Sequence, residues 1–556
     1  MMKLFLVLLI ALVGYSLLFF FSDEVISPDD LVYDFFSSHL AATGRLGYRP
    51  PGDGIFGEDG FTPRYFVYHQ NGETFPRKFP GFIIFWAGLK RVLPHQASRL
   101  VNPLCAVISL LFLFLIGKET FPSAKTPIRA VILLATTPVF LRRAYAYNAD
   151  LFNLAVFLAA LCFLLRALRY RGFGAYLLFG VFAGALIWIR PTNAVYLTTF
   201  LLLLLIERRK VSGKFLIVSA VIIALFGGGL LIYNKLIYGG YFNLSYTATH
   251  IPNETEITTK VPLSIRRIID YLNFHPRIWI LHLKNAPLSL TLACPLLVLA
   301  LVGFFIPRRE KPDPAGGRSD FDQDQNPGEA PGGAGDYRPV RFNLYYFWLF
   351  VISVCFFSNF ATFGHELGEY TINSSFLRYL MPAICLLPLF AARVLSRFSY
   401  PSVRLLTVLA GFNLTVALIG PGGSIETVMQ SRYYRECRRF LLDNTDQRTV
   451  FFTYYWDKLV FPERMVYTHG TQFPADTIGE AIRRVEQRDY RVAYPASQTD
   501  PLVETFILDN YEVAAVTGPV QLSPLSRLGA AFIPGHLYPL KLYLVTGRKG
   551  EVISNW

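Results

Sequence analysis

Apolar runs long enough to cross a bilayer recur through the first 420 residues of this chain, and no other feature restricts the fold so strongly. A backbone inside lipid has no water to bond, so each crossing segment must satisfy its own donors and acceptors, which means helices. The runs fall at 4–21, 99–117, 127–142, 149–168, 173–189, 192–206, 214–236, 286–306, 342–361, 377–395 and 401–420. They predict a polytopic α-helical membrane protein with about 11 transmembrane helices. Composition agrees, because 53% of residues are apolar and only 17% are charged. The run at 80–93 is too short to cross and reads as an interfacial or re-entrant helix. The first run, behind Lys3, ends in Phe21-Ser22-Asp23-Glu24 without a small-x-small cleavage pattern and reads as a retained span.

A formal charge of +14 would suit nucleic acid if the cations formed a patch, but they cluster at the ends of the apolar runs. That pattern reports topology and excludes a nucleic-acid partner. Alternate loops carry Lys118, Lys125 and Arg129; Arg166, Arg169 and Arg171; Arg208, Arg209, Lys210 and Lys214; Arg308, Arg309 and Lys311; and Arg393, Arg397 and Arg404. The inside-positive rule then puts the amino end in the cytoplasm and the C-terminal part outside it, in a multi-pass protein of the cell membrane. Of six cysteines, only Cys437 lies outside the runs, so neither a disulfide framework nor metal-type spacing exists.

Two domains follow. Residues 1–420 form the membrane domain, with 22–98 as a first outer loop carrying juxtamembrane helices, and 307–341 as a disordered cytoplasmic linker rich in Pro, Gly and acid. Residues 421–556 change to shorter apolar runs, with helices near 430–442 and 477–487 and strands at 449–455, 491–494, 512–516 and 540–545. They predict a small extracytoplasmic α/β domain. Gly227, Gly228 and Gly229 lie inside a run and read as helix packing rather than a nucleotide loop.

The outer ends of the runs hold the polar residues that need a reason. Asp29 and Asp30 follow Ser27-Pro28 at the first turn of a helix that also carries Tyr33. Either acid could cap the helix, which accounts for one of them. A general base at the membrane surface accounts for the other, since desolvation and a neighbouring carboxylate raise a carboxyl toward a useful range. On the same face stand Arg77 and Lys78, Arg142 and Arg143, Arg190 and Arg378. Single cations at such depth anchor to lipid headgroups, whereas a group of them suits a phosphate. Asp150 enters a run from that face, as an N-cap or as a second acid. His365, Glu366 and Glu369 are weak metal candidates because a second histidine is missing and Gly368 interrupts the helix. A divalent metal therefore stays open as a cofactor, with no other expected. Sequons at Asn243, Asn253 and Asn373 fall in outer loops and carry no argument.

In order and spacing the chain resembles the GT-C superfamily of membrane glycosyltransferases, in its protein mannosyltransferase and aminoarabinose transferase-like branch. The resemblance rests on Asp29-Asp30-x-x-Tyr33, Gly44-Arg45-Leu46, Arg77-Lys78-Phe79-Pro80-Gly81 with Phe85-Trp86-Ala87, and Ser98-Arg99-Leu100-Val101-Asn102. It continues through Tyr147-Asn148-Ala149-Asp150, Tyr233-Asn234 and Arg378-Tyr379-Leu380-Met381-Pro382. It implies inverting transfer of a sugar from a polyprenyl-phosphate carrier to a protein, lipid or polysaccharide acceptor at the outer face. Asp29 would be the base, with Asp30 as its partner or substitute. Arg77, Lys78, Arg190 and Arg378 would hold the donor phosphate, with Tyr33, Asp150 and Tyr379 around the substrate. Some relatives carry a glutamate where Arg77 stands, which puts a transferred metal site in doubt. Two other classes remain: a flippase or transporter of lipid-linked sugar, and a non-catalytic membrane assembly protein whose aspartates only cap.

Overall fold

A computed structural model describes residues 2–21, 27–49, 63, 66–68, 73–98, 100–121, 123–241, 276–305, 341–358, 371–372, 374–397, 402–453, 456–468, 475–496, 501–517 and 541–549. Residues 307–340 of the expected linker, the three sequons and His365, Glu366 and Glu369 lie outside them.

Helices occupy each of the apolar runs. In chain order they are α1 (Met2–Phe21), α2 (Pro28–Thr43), α3 (Pro80–Val92), α4 (His95–Ser98), α5 (Val101–Thr120), α6 (Lys125–Thr136), α7 (Pro138–Ala144), α8 (Asp150–Tyr170), α9 (Phe173–Ile189), α10 (Ala194–Ile206) and α11 (Gly213–Tyr238). After them come α12 (Pro276–Ala293), α13 (Leu297–Phe305), α14 (Phe342–Phe357), α15 (Ser375–Ile384), α16 (Leu387–Ser396) and α17 (Ser402–Ile419). Five described helices are long and apolar enough to cross a membrane, and seven spans result if each of two bent pairs is one span.

Several runs read as single helices are broken. The run at 127–142 divides into α6 and α7 because Pro138 pushes Thr137 into extended backbone, with ψ 128°. The run at 286–306 bends by 100° between α12 and α13, and that at 377–395 by 46° between α15 and α16. A hydropathy window cannot see such breaks, since both halves stay apolar.

Burial ranks the helices. Of the most apolar stretch of α8, 83% is buried inside the protein, against 11% for α11, so α8 is the axis of the bundle and α11 keeps its apolar side chains for lipid. Small residues set the closest approaches: a Cβ on Gly81 would lie 2.7 Å from the Trp188 carbonyl carbon, which brings α3 against the end of α9. Gly229 faces the Trp188 ring, whereas nothing lies within 4 Å of a Cβ on Gly227 or Gly228. The glycine run is thus a packing feature at one position of three.

The polar stretch after α1 folds onto the same end of the bundle. It contains α2, and a short antiparallel pair, β1 (Phe66–Tyr68) with β2 (Thr74–Pro76), that leads into α3. Beyond α17, helix α18 (Ser424–Asp443) precedes β3 (Thr449–Phe452), α19 (Asp457–Val460), β4 (Met465–Tyr467), α20 (Ala475–Glu486), β5 (Arg491–Ala496), α21 (Pro501–Asn510), β6 (Tyr511–Thr517) and β7 (Lys541–Arg548). The strands form a sheet in the order β4-β3-β5-β7-β6, with β3 parallel to β4 and β5, and β7 antiparallel to β5 and β6. Strand alternation divides the core: Val450 and Phe452 turn toward Ile478, Ile482 and Val485 of α20, whereas Phe451 joins Tyr433 and Leu441 of α18. The three-residue β4 and helix α21 were not expected from the sequence, the first because it is too short to show alternation.

Candidate active site

The site forms where chain topology gathers the ends of helices. Asp150 opens α8, Arg190 ends α9, Arg142 and Arg143 end α7, and Arg378 sits in the first turn of α15. Helix α2 and the loop before α3 cover that end. The opposite end carries Glu119 of α5 between Arg166, at 3.3 Å, and Arg169, at 2.8 Å, a link that ties α5 to α8.

The two adjacent aspartates have separate tasks. Ser27 caps α2: its Oγ accepts from the Asp30 amide at 3.2 Å, and the Asp30 carboxylate accepts from the Ser27 amide at 3.1 Å. Asp30 is therefore the capping acid rather than a free partner of the base. Asp29 turns toward the bundle, where its Oδ1 meets Lys78 Nζ at 2.8 Å and its Oδ2 lies 3.7 Å from Arg378 Nη1. Lys78 is buried, while the Asp29 side chain keeps 23% of its exposure, so a ligand can reach the acid.

Electrostatics separates the pair further. Burial acts to raise the Asp29 carboxyl, but Lys78, then Arg378, then the Lys78 hydrogen bond and Arg190 outweigh it and hold Asp29 below the ordinary carboxylate range. Burial also raises Asp30; the Ser27 bonds oppose it and the charge on Asp29 adds to it, leaving Asp30 at about 6. A carboxyl that binds its proton more tightly folded than unfolded gives its full stabilisation below the unfolded value of 3.8 and loses it as pH rises through about 6. Asp30→Asn keeps an acceptor for the Ser27 amide and removes the charge. It is expected to raise stability at pH 7.5 by up to about 3 kcal/mol, to flatten the melting temperature between those two pH values, and to leave activity within a few-fold. Thermal unfolding across pH, with activity measured beside it, checks this; loss of activity would give Asp30 more than a cap's role.

Asp150 shares Arg190 and Arg378 with Asp29 but is the more deeply buried of the two acids. Its side chain is fully buried, hydrogen-bonded to Arg190 Nη2 and 3.6 Å from Arg143 Nε. Asp150, expected either to touch the acceptor or to stand behind the residues that do, is paired with two arginines as their counter-ion. Arg190 also lies over the Tyr379 ring, 4.8 Å from its centroid, and the Tyr379 carbonyl accepts from Tyr196 Oη. Tyr33 is buried edge-on against Phe82, at 5.2 Å, within electrostatic reach of Arg190. Arg77, beside Lys78, is half-buried.

Polar side chains with no role assigned from the sequence, although Asn102 and Asn148 stand in its motifs, hold the Asp150 turn in place. Asn102 donates to the carbonyls of Ala146 and of Asn148, the latter at 2.9 Å; Asn148 Oδ1 accepts from the Asp150 amide at 3.1 Å; and Asn193 reaches Asn153 at 2.6 Å. Lys90 was also missed: its Nζ donates to Asp34 Oδ1 and Ser38 Oγ, each at 2.7 Å, and sits 4.0 Å over the Trp86 ring, pinning α2 to α3. The spacing of Asp34 with Ser38, and of Trp86 with Lys90, is a helical i,i+4 signal that could have suggested it.

Counted together, Lys78, Arg142, Arg143, Arg190 and Arg378 outnumber Asp29, Asp30 and Asp150 by two charges. Buried Nε groups of Arg142 and Arg378 donate to nothing among the described residues. Buried polar groups are nearly always bonded, so an excess of charge with spare donors marks a place prepared for an anion. Among the described residues no group of three His, Cys, Asp or Glu converges in a way that could hold a metal.

Residues 84–230 match the family model of dolichyl-phosphate-mannose-protein mannosyltransferases. Two solved structures share the fold over nearly the whole length of both chains. ArnT from Cupriavidus metallidurans bound to undecaprenyl phosphate aligns with TM-score 0.55 and 11% identity, covering 96% of this chain and 97% of its own. ArnT from the same organism in the apo state aligns with TM-score 0.55 and 12% identity over 96% and 97%. No curated protein matches the sequence. The chain therefore shares the polytopic helical membrane fold of these two structures, in keeping with the GT-C resemblance of its motifs.

Proposed function

From a GT-C architecture carrying an acid and a ring of cations at one end, we propose a glycosyltransferase that moves a sugar from a polyprenyl-phosphate carrier to an acceptor hydroxyl, inverting the anomeric carbon. The single observation that carries this reading is Asp29 held between Lys78 and Arg378. The basic loops assign this end of the bundle to the extracytoplasmic face and the amino end to the cytoplasm.

Asp29 accepts the proton of the acceptor hydroxyl as its oxygen attacks the anomeric carbon. The bond from that carbon to the phosphate oxygen breaks on the opposite side, and its electron pair leaves with polyprenyl phosphate. Lys78, Arg378 and Arg190 stabilise the charge that gathers there, which is the main demand when the leaving group is already good. A second carboxyl acid is then unnecessary, unlike in glycoside hydrolysis. Before the donor arrives Lys78 lies against Asp29, which keeps the carboxylate ionised but a weak base. A donor phosphate competes for the same ammonium and draws it away, so binding itself strengthens the base.

Lys78→Met removes a charge-assisted bond worth about 1.5–3 kcal/mol, so the KM for a polyprenyl-phosphate sugar should rise about 10- to 100-fold. Steady-state kinetics on purified protein, over a panel of such sugars with membrane extract as acceptor, measures it and identifies the sugar and acceptor together. Unchanged donor binding would remove Lys78 from the phosphate site. The bent pairs α12/α13 and α15/α16 are the kind of broken helix a transporter uses, which keeps a lipid-linked sugar flippase as the second reading. Movement of the donor across proteoliposomes without bond formation would decide for it.

A further inference from the structure

Helix α2 holds Asp29 at its start, and six residues later, about 9 Å along the axis, it presents Phe35. The ring of Phe461 lies 5.0 Å from that of Phe35, 5.3 Å from Phe66 and 6.2 Å from Tyr48. Phe35 in turn meets Tyr48 at 4.9 Å and Phe66 at 5.5 Å, while Phe36 meets Phe66 at 4.8 Å. Phe461 is thus a knob in an aromatic box built by α2 and its flanking loop, and only 3% of it is exposed.

The knob belongs to the C-terminal α/β unit. It follows α19 directly, its amide bonded to Asp457 O at 3.1 Å, and α19 connects β3 to β4 in the sheet. Lys458 of α19 lies 4.2 Å over the Tyr434 ring, which fastens the helix to α18. The other side of α2 is fixed by α3, through Lys90 and through Arg91, which donates to the carbonyls of Leu40 and Ala41, each at 3.0 Å. Between Lys90 and Phe461 the helix is clamped from both flanks. The α3 flank adds polar bonds to the Tyr33–Phe82 contact, and the α/β flank is aromatic.

We infer that the C-terminal α/β unit positions the catalytic helix, with Phe461 as the positioning residue that sets how closely Asp29 approaches Lys78 and Arg378. Close packing is stiff and short-ranged, so removing the knob lets the start of α2 move by a fraction of an ångström to an ångström, and displacement on that scale costs up to about 10²-fold in rate. The donor phosphate is held by Lys78, Arg190 and Arg378, none of which lies on α2, so donor affinity stays. This rests on Asp29 acting as the base.

Phe461→Ala in the purified full chain should speed hydrogen–deuterium exchange of residues 31–43 about tenfold or more, with α5 and α8 unchanged. It should lower kcat by about 10- to 100-fold and leave the donor KM within twofold. Phe461→Tyr, which keeps the ring, should restore both. Unchanged exchange in α2, or faster exchange with unchanged kcat, overturns the proposal. Should Phe461→Ala not fold, Phe35→Leu empties the box from the α2 side and the same two readings decide. Exchange needs no sugar transfer, so a wild-type protein without activity would refute the reaction while the exchange still decides the clamp.

Discussion

Asp29→Asn is expected to lower sugar transfer by about 10²- to 10⁴-fold, the range that a positioned general base contributes, with the protein still folded and inserted. Asparagine keeps the shape and can still accept from Lys78, so the protein loses a proton acceptor rather than a contact. Donor affinity should hold or improve, because the carboxylate that competes with the donor for Lys78 is gone. A fall in kcat with no rise in KM is thus the expected signature, and it is the opposite of that expected for Lys78→Met. Retained turnover would take Asp29 out of the base role. In the donor-free protein the acid is ionised below the ordinary carboxylate range, so the wild-type kcat/KM should not fall from protonation of this group as pH drops from 8 toward 3.8.

Asp150→Ala is expected to fail differently, through stability. The carboxylate is fully buried between Arg190 and Arg143, and its removal leaves two buried guanidinium groups without their anion. Breaking a buried ion pair from one side costs about 3–5 kcal/mol, a large share of what holds a protein together. Thermal unfolding in detergent should show a lowered midpoint before any substrate is added. Removing one of the stranded charges as well, in Asp150→Ala with Arg143→Met, should recover part of the loss, because an apolar replacement avoids the desolvation cost. A midpoint equal to that of the wild type would show that Asp150 supports substrate rather than structure.

Much of this architecture was legible because lipid imposes a coarse rule. Each apolar run became helix, and the strands at 449–455, 491–494, 512–516 and 540–545 appear as β3, β5, β6 and β7. The breaks at Thr137–Pro138 and within 286–306 and 377–395 were hidden by hydropathy, which stays apolar through them, although Pro138 was a local signal for the first. Among the cations, Arg143 read like any boundary arginine. What distinguishes it is Asp150, one helix start away at 3.6 Å. Phe461 had no signal of its own: an aromatic ending the short run Leu459-Val460-Phe461 gains meaning only from Phe35 and Phe66, about 400 residues earlier in the chain.

The sequence by itself determined that this chain belongs in a membrane as a bundle of helices, because the length and apolarity of a crossing segment are local properties. It also determined that two acids begin one helix, and that a surplus of cations stands at the ends of others. Only the tertiary structure decided that Asp30 closes the cap while Asp29 turns to Lys78 and Arg378, and that Asp150 is spent between two arginines. Neighbouring carboxylates are chemically identical until packing places a proton donor beside one and an ammonium beside the other.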